Sequence, residues 1–179
     1  MACSGGKLST ARIRLQPLGS DMEAKTNYGL TPLHCACESG EAELVRLLLD
    51  RGADLEAKTC KGDKALHFVS MDDKKLSVAR LLIRKGAEME ATTSYRVTPL
   101  ILALLSRTSK MVQLLLDSGA DFETKIGPGG SCNYPFHVAC DRGPTRDCLA
   151  VYKQTSRAHF AARIMSDQHD SLALLLDTL

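Results

Sequence analysis

Apolar residues along this chain gather in short clusters with helical spacing, separated by polar or glycine-bearing breaks. The clearest cluster lies in 43–51, where Leu44, Val45, Leu47, Leu48 and Leu49 form one broad apolar face. That stretch predicts an amphipathic helix, ended by Gly52 where a left-handed residue is wanted. Its apolar triplet returns at Leu81-Leu82-Ile83 and Leu114-Leu115-Leu116, at steps of 34 and 33 residues. A shorter apolar stretch precedes each triplet. It opens on Thr31-Pro32-Leu33-His34, then Lys64-Ala65-Leu66-His67, Thr98-Pro99-Leu100-Ile101 and Tyr134-Pro135-Phe136-His137, at steps of 33, 34 and 36. A third marker, Gly52-Ala53-Asp54, Gly86-Ala87-Glu88 and Gly119-Ala120-Asp121, keeps the same phase. Three markers in one phase establish a tandem repeat.

Each marker has a physical reason. Thr followed by Pro is an N-cap and first-turn pair: the hydroxyl accepts a free backbone N–H, and Pro has no N–H to orphan. Ala36, Ala103 and Ala139 let a neighbouring helix approach closely, and Ser39-Gly40 and Arg142-Gly143 break the first helix. The predicted unit is helix, turn, helix, extended loop. Lys64 and Tyr134 replace the capping Thr, and Ala65 replaces the Pro, which predicts weaker helix starts in the second and fourth units.

Gly29, Thr31-Pro32-Leu33-His34, Ala36, Gly40, Leu47-Leu48-Leu49 and Gly52-Ala53-Asp54 resemble the ankyrin repeat consensus at its own offsets, and the likeness covers most of the chain. The resemblance implies an all-α fold: an ankyrin-type helix-turn-helix repeat solenoid with short β-hairpin fingers. Gly19 to Thr26 matches Gly52 to Thr59 one period later, so 1–18 is expected to be a degenerate segment, spoiled by Pro17, and 19–179 the array. The repeats fall at about 27–59, 60–92, 94–125, 126–155 (irregular) and 156–179 (truncated). Two readings of 144–166 stay open. It is an insertion in the fourth repeat, or it holds a weak second helix at Cys148–Tyr152 and a fifth repeat restarting at Ser156, with His159 and Ala161 where His34 and Ala36 stand. We favour the second. Neither end reads as a polar capping repeat, so the chain is expected to be a slice of a longer array.

Composition changes the picture little. The hydrophobic fraction of 44% permits a packed core, and aromatics at 4% with no Trp leave that core to aliphatic side chains. The net charge of +2 does not by itself call for nucleic acid or a membrane surface. Seven Cys, an odd number, with no apolar run in the first thirty residues, argue against a disulfide framework and for a reducing compartment. The expected location is intracellular, cytoplasmic or nuclear. Residues 1–20 are basic and acid-free like a transit peptide, but the repeat register accounts for their end.

Chemistry finds little footing. His34 with Cys37, and His137 with Cys140, have i, i+3 spacing that suits zinc, but the pairs stand three repeats apart, about 30 Å at roughly 10 Å per helix layer. No spacing gives a thiol an orienting group or an oxyanion pocket. Gly127-Pro128-Gly129-Gly130 lacks the Lys and helix start of a phosphate loop and reads as a lengthened finger. The basic stretch 142–163 has no interleaved aromatics beyond Tyr152 and Phe160, and reads as a solvated helix face rather than a nucleic-acid stripe. No catalytic, cofactor or metal site is predicted, and the chain is expected not to be an enzyme.

What remains is a binding wall. In ankyrin-like repeats the finger tips and the exposed face of the first helix form a concave wall, where contact positions vary freely and meet partners. Those positions here are Asn27, Tyr28, Leu30, Glu38 and Ser39 in the first repeat, and Cys60, Lys61, Asp63, Met71 and Asp72 in the second. The third offers Ser94, Tyr95, Val97, Leu105 and Ser106, and the fourth Ser131, Asn133, Asp141 and Arg142. Two of the four Tyr, Tyr28 and Tyr95, take matching finger places, and Tyr is enriched at interface anchors. The sequence therefore predicts a monomeric protein-binding module that neither enters a membrane nor seeks nucleic acid. The alternative is a regulatory segment packed on an enzyme or channel domain of a larger protein.

Overall fold

A computed structural model describes residues 22–121. The segment 1–18, the fourth and fifth repeats and the lengthened finger at 127–130 lie outside the described residues.

Within that span the elements come in pairs: α1 (Pro32–Ser39) with α2 (Ala42–Asp50), α3 (Ala65–Ser70) with α4 (Leu76–Arg84), and α5 (Pro99–Ser106) with α6 (Ser109–Asp117). Helices of six to nine residues are too short to persist alone in water. They persist by stacking. The inner helices α1, α3 and α5 lie in one row and the outer helices α2, α4 and α6 in another, each pair also packing internally. The markers build this core position by position. Leu33, Leu66 and Leu100 from the inner row, and Leu48, Leu82 and Leu115 from the outer row, are each 2% exposed or less. Each such leucine is worth about 1.5–3 kcal/mol on burial, shared across repeat boundaries.

The second repeat is one residue longer, and the markers place the extra residue between Lys64 and Leu81. The chain takes it up as a 3-10 turn, Asp73–Lys75, ahead of α4. Asp73 is put to use there: its Oδ1 accepts the Met111 N–H at 2.9 Å, satisfying a free donor at the start of α6 in the next repeat.

Lys64 makes no side-chain cap, as its replacement of Thr implies, but puts the side chain to another use. Its backbone is extended (φ −105°, ψ 169°), as at Thr31 (−88°, 167°) and Thr98 (−87°, 164°), so the helix begins in the same way. Its side chain does not dangle. The ammonium is buried and pairs with Glu56 Oε2 at 2.6 Å and with Glu88 Oε2, from the tails of two successive repeats. A cap was traded for an inter-repeat ion clamp.

The histidines of the repeat motif also tie layers together. The Lys64 N–H donates to His67 Nδ1 at 3.1 Å, and the Thr31 N–H to His34 Nδ1 at 3.1 Å. A backbone N–H can only donate, so each ring is neutral with its proton on Nε2. His67 Nε2 donates to the Ala91 carbonyl, 3.1 Å away at the base of the third finger. His34 Nε2 is buried near the matching Ala57 carbonyl, but no hydrogen bond closes. In the third repeat Ile101 fills the place with hydrocarbon. Burial lowers the pKa of both rings below 6.5, against the opposing pull of Asp63.

A third inter-repeat tie recurs three times among the described residues. Glu23 Oε1 accepts the Asp54 N–H (2.8 Å), Glu56 Oε1 the Glu88 N–H (2.9 Å) and Glu90 Oε1 the Asp121 N–H (2.7 Å). Each carboxylate pins the opening of the next tail. No helix among the described residues is long and apolar enough to cross a membrane.

Candidate functional site

The fingers set the geometry of the expected binding wall. Each is a tight turn closed by backbone bonds: Thr26 N–H to Leu30 C=O (3.0 Å), Thr59 to Asp63 (3.0 Å) and Thr93 to Val97 (3.1 Å). These fingers are turns, and no strand forms among the described residues. Successive fingers are joined directly. The Cys60 N–H donates to the Tyr28 carbonyl at 3.1 Å, and the Ser94 N–H to the Lys61 carbonyl at 2.8 Å. That bond fixes register, so Tyr28, Lys61 and Tyr95 occupy the same third position of their turns.

The side chains on this frame are sorted by exposure. Among the described residues, the exposed large hydrophobics are Tyr28 (76%), Tyr95 (67%), Met71 (48%) and Leu105 (41%). All four stand at expected contact positions, two on finger tips and two at the ends of inner helices. Asn27, Glu38, Ser39, Cys60, Lys61, Ser94 and Ser106 are exposed as well. Leu30, Asp63, Asp72 and Val97 are only half-buried, and two of them have local work. Asp63 Oδ2 accepts from the Thr59 hydroxyl at 3.3 Å, and Asp72 Oδ1 accepts the Lys74 N–H at 2.9 Å. Ser131, Asn133, Asp141 and Arg142 lie outside the described residues.

Two wall residues escaped the sequence reading. Arg96 follows Tyr95 on the third finger, and Arg107 closes α5 just after Leu105; both are exposed. The signal was available, because they stand 67 residues after Gly29 and Gly40.

The remaining candidate chemistry is spoken for by packing. His34 Nδ1 already accepts from Thr31. Cys37 is fully buried, and desolvation pushes its thiol up to about 12, which removes the thiolate that a nucleophile or a metal ligand requires. Cys60 is exposed at a finger tip, its Sγ 3.8 Å from the Asn27 carbonyl. His137, Cys140, Cys148 and the basic stretch 142–163 lie outside the described residues.

Comparison with known proteins agrees with this architecture. The ankyrin repeat family model matches residues 28–60, and the model for three ankyrin repeat copies matches 56–126. The chain is 29% identical over 139 residues to the human transient receptor potential cation channel subfamily A member 1, covering 76% of this chain and 12% of the channel. It is 31% identical over 108 residues to the mouse protein fem-1 homolog A-like, covering 60% of this chain and 16% of that protein. It is 33% identical over 75 residues to human protein phosphatase 1 regulatory subunit 27, covering 42% of this chain and 48% of the subunit. The chain thus spans less than a fifth of the first two relatives and about half of the third.

Proposed function

Because the chain belongs to the ankyrin repeat family, we propose that it is a non-catalytic module that binds a protein partner along the finger tips and inner-helix ends. The observation that carries this reading is the sorting of exposed hydrophobics. Among the described residues, Tyr28, Met71, Tyr95 and Leu105 stay in water while the other large apolar side chains are wholly or partly covered. Apolar surface left exposed on one wall is what an interface uses. Tyr28, Lys61 and Tyr95 then make an aromatic, basic, aromatic row, on the order of 20 Å long at about 10 Å per layer. In this reading the chain works as a monomer in a reducing, cytoplasmic compartment, where Cys60 stays a thiol, and it needs no cofactor, metal or nucleic acid.

A second reading makes the repeats a regulatory segment of a larger protein. It draws on the relatives, one named as a cation channel and one as a phosphatase regulatory subunit, of which the chain spans only part. Photo-crosslinking tests the first reading. A photoreactive residue in place of Tyr95 is expected to capture a discrete partner from the protein's own cell extract, and one in place of Arg46 on α2 is not. Equal capture from both positions, or capture from Arg46 alone, refutes the wall.

A further inference from the structure

Left-handed backbone is costly for any residue with a Cβ, and among the described residues the two non-glycine positions that adopt it are both arginines in the third repeat. Arg96 has φ 57° at the finger position held by Gly29 (76°) and Gly62 (77°). Arg107 has φ 58° at the end of α5, the place Gly40 (76°) takes after α1. Neither guanidinium has an acidic partner within ion-pair distance among the described residues. Backbone bonds hold both turns instead: the Arg96 N–H donates to the Thr93 carbonyl at 2.9 Å and the Arg107 N–H to the Leu104 carbonyl at 3.2 Å, which leaves both side chains uncommitted to an ion pair among the described residues. Backbone strain of this kind, held in place by the surrounding fold, is a marker of functional positions.

The two arginines also make the wall electrically uneven. The exposed end of α1 carries Glu38, whereas the end of α5 carries Leu105 and Arg107, and the finger that leads into the start of α5 carries Tyr95 and Arg96. We propose that the third repeat holds a carboxylate-reading site, with Arg96 and Arg107 flanking the apolar surface of Tyr95 and Leu105. Its occupant is a segment of a partner protein in which Asp or Glu stands beside large apolar side chains. The proposal rests on the wall being the binding face. Guanidinium forks match carboxylates in paired hydrogen bonds. The exposed ring and leucine ask for hydrocarbon, which a nucleic-acid backbone does not offer. Glu38 and Asp72 on the same wall would repel a continuous run of phosphates.

The test is selection from a random-peptide display library on the full chain, repeated on Arg96→Gly/Arg107→Gly, on Arg96→Glu/Arg107→Glu and on Tyr28→Ala/Tyr95→Ala. Wild type is expected to enrich peptides pairing Asp or Glu with Leu, Met, Phe or Tyr. The glycine pair should lose that enrichment at least about tenfold, the scale of one paired charge-assisted contact, while melting at or above the wild-type temperature because the strain is gone. The glutamate pair should shift selection toward Lys and Arg. Enrichment without acidic bias, enrichment that survives the glycine pair, or none at all overturns the proposal. So does tight binding of an oligothymidylate that the glycine pair abolishes, which would make the site a nucleic-acid contact. If the tyrosine pair loses the peptides and the glycine pair keeps them, the wall stands and this site falls. If both keep them, both readings fall.

Discussion

Lys64 Nζ lies 2.6 Å from Glu56 Oε2, at the helix-starting position that Thr31 and Thr98 fill in the neighbouring repeats. The ammonium also pairs with Glu88 one repeat on. Burial alone would lower the Lys64 pKa, but the bonds to Glu56 and Glu88 outweigh it and the net shift is upward; those same bonds lower Glu88.

Restoring the consensus here is therefore expected to harm the fold. Lys64→Thr gains a cap worth about 1 kcal/mol. It leaves Glu56 and Glu88 facing each other without their cation, a loss of roughly 2 kcal/mol after allowing for the solvent on both carboxylates. The melting temperature should fall by a few degrees near pH 7. The raised Lys64 contributes fully below 10.5 and loses its contribution as pH rises through its folded value. The lowered Glu88 contributes above 4.5 and loses its contribution as pH falls through its folded value. The gap between variant and wild type should thus be widest between those limits. A melting temperature that rises at pH 7 would show that the clamp is worth less than the cap it replaces.

The histidines predict acid sensitivity in a milder range. Both rings are neutral in the fold with lowered pKa, so below 6.5 the unfolded chain takes up protons that the folded chain refuses. Stability is full above 6.5 and declines as pH falls, by up to about 1.4 kcal/mol per pH unit for each histidine. His67→Asn should flatten the decline as pH falls below 6.5. Denaturant titrations across that range check it, and an unchanged slope contradicts the assignment.

Gly29 reports finger stacking. Its φ of 76° is left-handed, and a Cβ there would lie 2.8 Å from the Cys60 N, which is backbone and cannot swing aside. Gly52 has φ 88° but nothing within 4 Å. Gly52→Ala should cost about 1 kcal/mol from conformation alone. Gly29→Ala should cost clearly more, about 2 kcal/mol or above, because the Cys60–Tyr28 bond must also give. Equal losses in chemical denaturation would mean that the fingers are not held this closely.

Tyr28 and Tyr95 separate binding from folding. At 76% and 67% exposure their rings add little to the core. Tyr28→Ala with Tyr95→Ala should weaken partner binding at least tenfold, since anchor truncations commonly cost 2 kcal/mol or more. The melting curve should barely move. Arg46→Glu on the outer row should leave affinity within about twofold, since a change outside the interface removes no contact. The reverse pattern in a binding titration would move the interface to the outer helices.

The repeat register, the helix pairs and the core leucines were legible because each element is local and its marker recurs. Thr31-Pro32 and Leu47-Leu48-Leu49 each encode a cap or an apolar face within one helical turn or two. The exposed wall was legible for the same reason: Tyr28, Met71, Tyr95 and Leu105 hold positions that the register leaves without a neighbour. The lost cap at Lys64 was legible, but its ion pairs were not, because the partners lie 8 and 24 residues away and a local rule sees only a missing Thr.

By itself, the sequence determined what sits on which face of each repeat, through a period of 33 to 36 residues that phases caps, helices and breaks. Only the tertiary structure decided what joins one repeat to the next. Lys64 on Glu56, Glu23, Glu56 and Glu90 on the amides of Asp54, Glu88 and Asp121, and Asp73 on Met111 are all contacts across a repeat boundary, while Lys64 on Glu88 and His67 on Ala91 tie the helix start of the second repeat to its own tail. The physical reason is that a periodic pattern specifies each unit against its own helix axis. A hydrogen bond or ion pair between units depends on how far one layer stands from the next, and stacking sets that distance. The left-handed turns of Arg96 and Arg107 belong with these contacts: the residue names are in the chain, but their strain appears only in the folded backbone.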